Sequence, residues 1–115
     1  MAIDLHAHYV PRELVAELSK RDIPPFIREN EDGSQIFQMP HTSINFSSEY
    51  SDIKLRLQFM DSIGIEHQLL SFPGLFGVDS ITPEESLPLV QIFNDQVANV
   101  CRNYPDKFSG LASLP

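Results

Sequence analysis

IDLHAHYVP, at residues 3–11, alternates apolar and polar side chains until it reaches a proline. This alternation predicts a β-strand over residues 3–9, in which side chains two positions apart lie on one face. We expect the polar face to carry Asp4, His6 and His8. The other face should pack on an apolar neighbour through Ile3, Leu5 and Ala7. A polar inner face and an apolar outer face fit the inner wall of an active-site barrel better than a plain core strand.

The two histidines are the candidate metal ligands of this strand. Neutral imidazoles on one face can share a divalent cation at roughly 2.0–2.1 Å per nitrogen. A His-x-His pair also arises by chance, as a pair of surface or core histidines. Imidazoles and a carboxylate are unusual in a buried strand unless they are paired or metal-bound. The pattern therefore favours a metal site at His6 and His8, with an ordinary histidine pair as the alternative.

The region after the first strand predicts a helix and then a small β excursion. Pro11 suits a first helical turn, and the helix is expected to continue to about Arg21. Residues 26–48 contain a turn signal and weak alternation, which predict a β-hairpin near the mouth of a site. Arg28 in this excursion could bind a substrate carboxylate through both guanidinium nitrogens, although an exposed arginine is more often only solvated. His41 is interpreted as an ordinary loop histidine.

The second half of the chain alternates helices with strands. The periodicity predicts helices over 51–62 and 83–104 and strands over 65–72 and 108–114. Gly64 suits a left-handed helix end, and Thr82 suits a helix start. Pro88 predicts a kink or a fresh helix start inside the last helix. Strands that alternate with helices predict a parallel sheet wrapped by helices.

Several polar or reactive residues of this half are assigned roles by their position. His67, near the start of a strand, is interpreted as structural. Asn94 and Asp95 are expected to cap or anchor, and Cys101 is expected to be a buried thiol. Substrate contacts are expected where the second strand ends, at Ser71, Phe72, Pro73 and Gly74, with Phe72 as the chosen candidate.

The composition limits the classes of function. The chain of 115 residues carries 16 acidic and 8 basic side chains, for a net charge of −8. The scattered acidic residues argue against non-specific nucleic-acid binding, which needs a basic face. No run is long and apolar enough to span a membrane, and no signal-peptide pattern is seen, so a cytoplasmic location is expected.

Four segments of the chain carry a family resemblance: the first-strand stretch at residues 3–11, FMDSIGIEHQLLS at 59–71, FNDQ at 93–96 and YPDKFSGLASLP at 104–115. They resemble the amidohydrolase-related family, in the branch that includes the aminocarboxymuconate-semialdehyde decarboxylases. They occur in the family's order, and the resemblance covers nearly the whole chain except the stretch from about Pro24 to Ser48.

The resemblance implies a fold and a metal centre. The implied fold is α/β, the N-terminal third of a (β/α)₈ barrel, with three parallel strands and residues 1–115 as an incomplete domain. A complete barrel has eight strands and about 250 residues. In the family the first-strand histidines help bind a divalent metal, usually zinc, and His6 and His8 match them. Asp4 is expected to orient a ligand histidine, and the remaining ligands and catalytic residues are expected beyond Pro115.

The resemblance leaves three functions open. The first is a metal-dependent decarboxylase of a small organic acid, and the second is an amide or lactone hydrolase of the same family. The third is a non-catalytic remnant or interaction fragment. The expected partners are a small carboxylate substrate and either a second copy of the chain or the remainder of the barrel, because open strand edges invite association.

Overall fold

A computed structural model describes residues 2–72 and 77–115 of the chain. The elements, in chain order, are β1 (Ala2–His8), α1 (Arg12–Leu18), β2 (Phe26–Glu29), β3 (Gln35–Gln38), β4 (Ser43–Phe46), α2 (Ile53–Ile63), β5 (Ile65–Ser71), α3 (Pro83–Asn103) and β6 (Phe108–Gly110). Short 3₁₀ turns lie at Ser48–Tyr50 and Val78–Ser80. None of the described helices is both long and apolar enough to cross a membrane.

The main sheet is parallel and has the strand order β1-β5-β6. The connection from β5 to β6 contains α3, and the connection from β1 to β5 contains α1, the excursion and α2. Gln68, Leu70 and Phe108 are buried on the face of the sheet that the helices cover. The predicted α/β fold with three parallel strands is confirmed.

The excursion is a three-stranded antiparallel sheet, β2-β3-β4, so the predicted hairpin was too small. A second turn after β3, closed by a 2.8 Å bond from the Met39 amide to the Thr42 carbonyl, adds β4. Phe37 and Phe46 pack against each other across β3 and β4, which buries the inner face of this sheet. The Pro-His-Thr turn lacks the Asn-Gly type of signal that marks a short hairpin.

The helix termini follow the local sequence closely. Asp52 caps α2 by accepting from the Leu55 amide at 3.1 Å, and Gly64 ends this helix at a φ of +76°. Thr82 caps α3 by accepting from the Glu85 amide at 3.3 Å. The first helix is shorter than predicted, since α1 ends at Leu18.

Pro88 lies inside α3, and a fresh helix start after it is not observed. Pro88 is exposed and falls in the second turn, where its missing amide deprives only one exposed carbonyl of a partner. The apolar face of α3 is continuous across this position and packs into the core through Ser86, Leu89, Val90, Phe93, Val97 and Val100. That burial favours a single helix over an interruption.

The last strand is also shorter than predicted, and the segment after it is attached to α3. The Asn94 side-chain amide donates to the Ser113 carbonyl at 3.0 Å, and its oxygen accepts from the Ser113 amide at 2.8 Å. The two bonds satisfy the backbone of Ser113 without a neighbouring strand. Asn94 therefore anchors this segment, as its position suggested.

Candidate metal-binding site

His6 and His8 lie side by side near the end of β1. Their Nε2 atoms are 2.9 Å apart, and their ring centroids are separated by 4.7 Å. His8 is the last residue of β1 and pairs with Ser71, the last residue of β5. The carboxyl ends of parallel strands are where βα-barrel enzymes hold their reacting groups.

The donor set of this pair fits a divalent metal. Two nitrogen ligands with bonds of about 2.0–2.1 Å lie about 2.9–3.4 Å apart, a range that includes the observed separation. Partial burial, then the charges of His6 and Arg56, lower the pKa of His8 below its ordinary value, which favours the neutral, metal-binding form. Across residues 2–72 and 77–115 no group of three metal-binding side chains is assembled. The pair by itself offers two nitrogen donors.

Asp4 does not share a face with His8, contrary to the expectation from strict alternation. The register of β1 against β5 shifts between Asp4 and Ala7, so one extra residue of β1 lies in this interval. Asp4 pairs with Gln68, whose side-chain amide donates to Asp4 Oδ2 at 3.2 Å. A β-bulge of this kind inverts the alternation. Asp4 nevertheless contacts the histidine segment, because Asp4 Oδ1 accepts from the His6 backbone amide at 3.0 Å.

Arg56 of α2 is a member of the site that the sequence analysis missed. One terminal nitrogen donates to the His8 carbonyl at 2.7 Å, and the other donates to Gln68 Oε1 at 3.3 Å. The guanidinium also lies 5.7 Å from the centre of the Tyr9 ring. Burial lowers the pKa of Arg56 from its ordinary value. The available signal was a cationic residue between the apolar positions of an amphipathic helix.

A pocket of about 650 Å³ opens beside this network. It lies between β1, α2 and the segment that follows β4. Its lining combines charged, amide and apolar groups and includes Asp4, His8, Asn45, Arg56, Phe59 and Gln68.

The apolar residues at the start of β1 are exposed rather than packed. Ile3 is 52% exposed and Leu5 is 72% exposed, whereas Ala7 is buried. The expected apolar neighbour is not present among the described residues, because Ile3 pairs with His67, on the face of the sheet opposite the buried Gln68 and Leu70. Only the half of β1 that lies beside the helices is covered.

The two candidate substrate-binding residues lie in different places. Arg28 lies on β2, 5.0 Å from the Phe26 ring centre, in a polar pocket of about 380 Å³ that it shares with residues following α1. No contact among the described residues joins Arg28 to the histidine pair. Phe72 directly follows Ser71 and packs edge-on against Phe93, with ring centroids 5.0 Å apart. Pro73 and Gly74 lie outside the described residues.

The remaining histidines and the cysteine have local surroundings. The ring nitrogens of His67 contact the Asp106 carbonyl at 3.1 Å and Ser109 Oγ at 2.8 Å, which connects β5 to β6. This bridge supports the structural interpretation of His67. His41 is exposed in the turn between β3 and β4. Cys101 is partly buried, and burial raises the pKa of its thiol.

The chain is similar in sequence to a curated decarboxylase. It is 29% identical over 119 residues to the 2-amino-3-carboxymuconate-6-semialdehyde decarboxylase of Dictyostelium discoideum. The similarity covers the whole chain and 33% of that relative, so the chain spans about a third of the relative's length. No family model matches the chain.

Solved structures share the fold over the whole chain. The Metarhizium anisopliae IDCase superposes with a TM-score of 0.83 at 13% identity, over 100% of this chain and 36% of its own. The 5-carboxyvanillate decarboxylase LigW of Sphingomonas paucimobilis gives 0.66 at 21% identity, over 98% and 34%. An amidohydrolase II structure gives 0.62 at 30% identity, over 100% and 32%. The predicted barrel portion and the resemblance to amidohydrolase-family decarboxylases, over an N-terminal part, are confirmed.

Proposed function

We propose that this chain forms the metal-binding N-terminal part of a metal-dependent decarboxylase that acts on a small organic carboxylate. The carrying observation is the 2.9 Å approach of two imidazole nitrogens at the carboxyl end of β1. The relatives that share the sequence or the fold include proteins described as decarboxylases, which supports this reaction over others.

In this proposal His6 and His8 hold a divalent cation, most simply Zn²⁺, together with ligands from strands outside these residues. The bound cation would polarise a substrate oxygen or lower the pKa of a bound water to about 7. Asp4 holds the backbone of His6, and Arg56 holds the backbone carbonyl of His8. In this proposal the residues that transfer protons lie on strands beyond Pro115.

The substrate contacts are proposed at the same end of the sheet. Phe72 follows the residue that pairs with His8, and because its ring packs against Phe93 of α3, it would border the site through its backbone. Arg28 remains a candidate anion-binding residue for a substrate that extends toward the excursion sheet. The exposed edge of β1 and the apolar side chains beside it support association with the strands that complete a barrel, or with a second copy of the chain. A cytoplasmic location is part of the same proposal.

The test measures metal content and carbon dioxide release together, in the intact protein that contains this chain. Elemental analysis of wild type, His6→Ala and His8→Ala should show that each substitution removes bound metal. His41→Ala is the matched control, because His41 is an exposed histidine in a turn. The same proteins are then incubated with a panel of carboxyl-labelled small acids. We expect wild type and His41→Ala to release labelled carbon dioxide, and His6→Ala and His8→Ala to release none.

Two results would contradict the proposal. Metal retention by both His6→Ala and His8→Ala would remove the metal assignment. Metal-dependent turnover of amides or lactones with no carbon dioxide release would replace the decarboxylase by a hydrolase at the same site.

A further inference from the structure

We infer that Arg56, acting through Gln68 and Asp4, is the positioning residue that sets the His6–His8 pair for metal binding. The inference rests on the proposed function, because it concerns the same pair. Arg56 lies on α2 and contacts no ring nitrogen of the pair. It acts through hydrogen bonds that reach the backbone of His6 and His8.

The hydrogen bonds form a continuous path from α2 to both histidines. Arg56 donates to the His8 carbonyl at 2.7 Å and to Gln68 Oε1 at 3.3 Å. The Gln68 amide donates to Asp4 Oδ2 at 3.2 Å, and Asp4 Oδ1 accepts from the His6 amide at 3.0 Å. One side chain of α2 thus contacts the backbone of one histidine directly and that of the other through two side chains.

The β-bulge explains why the pair needs this support. Between Asp4 and Ala7 the strand is out of register with β5, so the segment that carries His6 lacks a regular ladder partner. β1 is also an edge of the described sheet. The Asp4 carboxylate satisfies the His6 amide in place of a neighbouring strand. Metal ligands need their geometry fixed to within about 0.5 Å, which an unsupported bulge does not provide.

Burying the polar groups of Gln68 and Arg56 costs more free energy than burying apolar side chains at the same positions would. Gln68 is only 3% exposed, and Arg56 Nε is buried without a hydrogen-bond partner among the described residues. Buried polar groups and cations lose hydration that an apolar side chain of similar volume would not lose. A helix that only had to cover the sheet would pack as well with a methionine at position 56.

The donor and acceptor order of the path gives a rescue experiment. Asp4→Asn places an amide against the Gln68 amide and breaks the path, and Gln68→Glu removes the donor that Asp4 needs. In the double variant, the carboxylate introduced at position 68 accepts from Arg56 and from the amide introduced at position 4. The side-chain oxygen at position 4 still accepts from the His6 backbone amide. The double variant therefore restores every hydrogen bond of the path. The bond between positions 4 and 68 is restored with donor and acceptor exchanged.

The measurement is Zn²⁺ affinity by chelator competition in the intact protein, with the visible spectrum of the Co²⁺ form as a geometric readout. We expect Arg56→Met, Asp4→Asn and Gln68→Glu each to weaken Zn²⁺ binding about ten- to a hundredfold and to change the Co²⁺ spectrum. The double variant should recover most of the affinity. Lys54→Met and Gln58→Leu, at exposed positions of the same helix, are the controls and should bind like wild type.

The outcomes separate this inference from the proposed function. Wild-type affinity in folded Arg56→Met or Asp4→Asn, while His6→Ala loses Zn²⁺, overturns the positioning role alone. Retention of Zn²⁺ by His6→Ala and His8→Ala overturns the proposed metal site and the inference with it. If Arg56→Met fails to fold, the double variant decides, because affinity that stays as low as in its parent variants overturns the inference.

Discussion

At the scale of single residues, the sequence shows the chemistry better than the direction of each side chain. The spacing of His6 and His8 predicted their proximity because side chains at i and i+2 share a face. The same rule failed for Asp4, because a bulge in β1 depends on pairing with β5 and leaves no local signal. Arg56 was missed because its acceptors, on His8 and Gln68, are distant in sequence.

The glycine at position 110 tests how closely β6 approaches α3. A Cβ built at Gly110 would collide with Val97 Cγ1, a buried side chain of the helix. We expect Gly110→Ala to lower the free energy of unfolding by about 1–3 kcal/mol, measured in urea. Gly64→Ala measures a different cost, since its Cβ meets no atom and only the left-handed backbone is penalised, by about 1–2 kcal/mol. A Gly110→Ala variant as stable as wild type would contradict the close approach.

The thiol of Cys101 should react at higher pH than an ordinary cysteine. Burial disfavours the thiolate and raises the pKa, and only the thiolate is alkylated. We expect the pH midpoint of iodoacetamide reaction to be higher in the folded chain than in the same chain unfolded in urea. If the pH midpoint in the folded chain is equal to or below that in the unfolded chain, the claim that burial raises the pKa of Cys101 is wrong.

At the scale of elements, helix boundaries were predictable where a cap is encoded locally. Asp52, Gly64 and Thr82 mark their helix ends through contacts within a few residues. Strand β4 was not predictable, since the turn before it has no typical signal and its burial depends on Phe37 in β3. The continuity of α3 through Pro88 also depends on tertiary packing rather than on local preference.

The segment that follows β6 should depend on one side chain of α3. Asn94→Leu removes both bonds to the Ser113 backbone, and we expect faster amide exchange at Ser113 with a loss of about 1–3 kcal/mol in local stability. Asp95→Leu, at the adjacent exposed position, is the control and should leave this exchange unchanged. Unchanged protection of the Ser113 amide in Asn94→Leu would show that other contacts hold the segment.

At the scale of the whole molecule, two exposed apolar side chains lie near the open edge of the main sheet. Leu5, on the edge strand β1, is 72% exposed, and Phe59, on α2, is 56% exposed and lines the pocket beside Arg56. Apolar residues at an unpaired strand edge favour association.

We expect Leu5→Lys combined with Phe59→Lys to reduce self-association or binding to barrel-completing strands, measured by sedimentation velocity. The control is Ile23→Lys combined with Leu87→Lys, which adds the same number of charges at side chains that are 66% and 43% exposed, in the loop before the excursion sheet and on α3. Equal reductions in the two double variants would attribute the effect to net charge, which each shifts from −8 toward neutrality. A reduction confined to Leu5→Lys with Phe59→Lys would identify the edge of β1 with α2 as the associating surface.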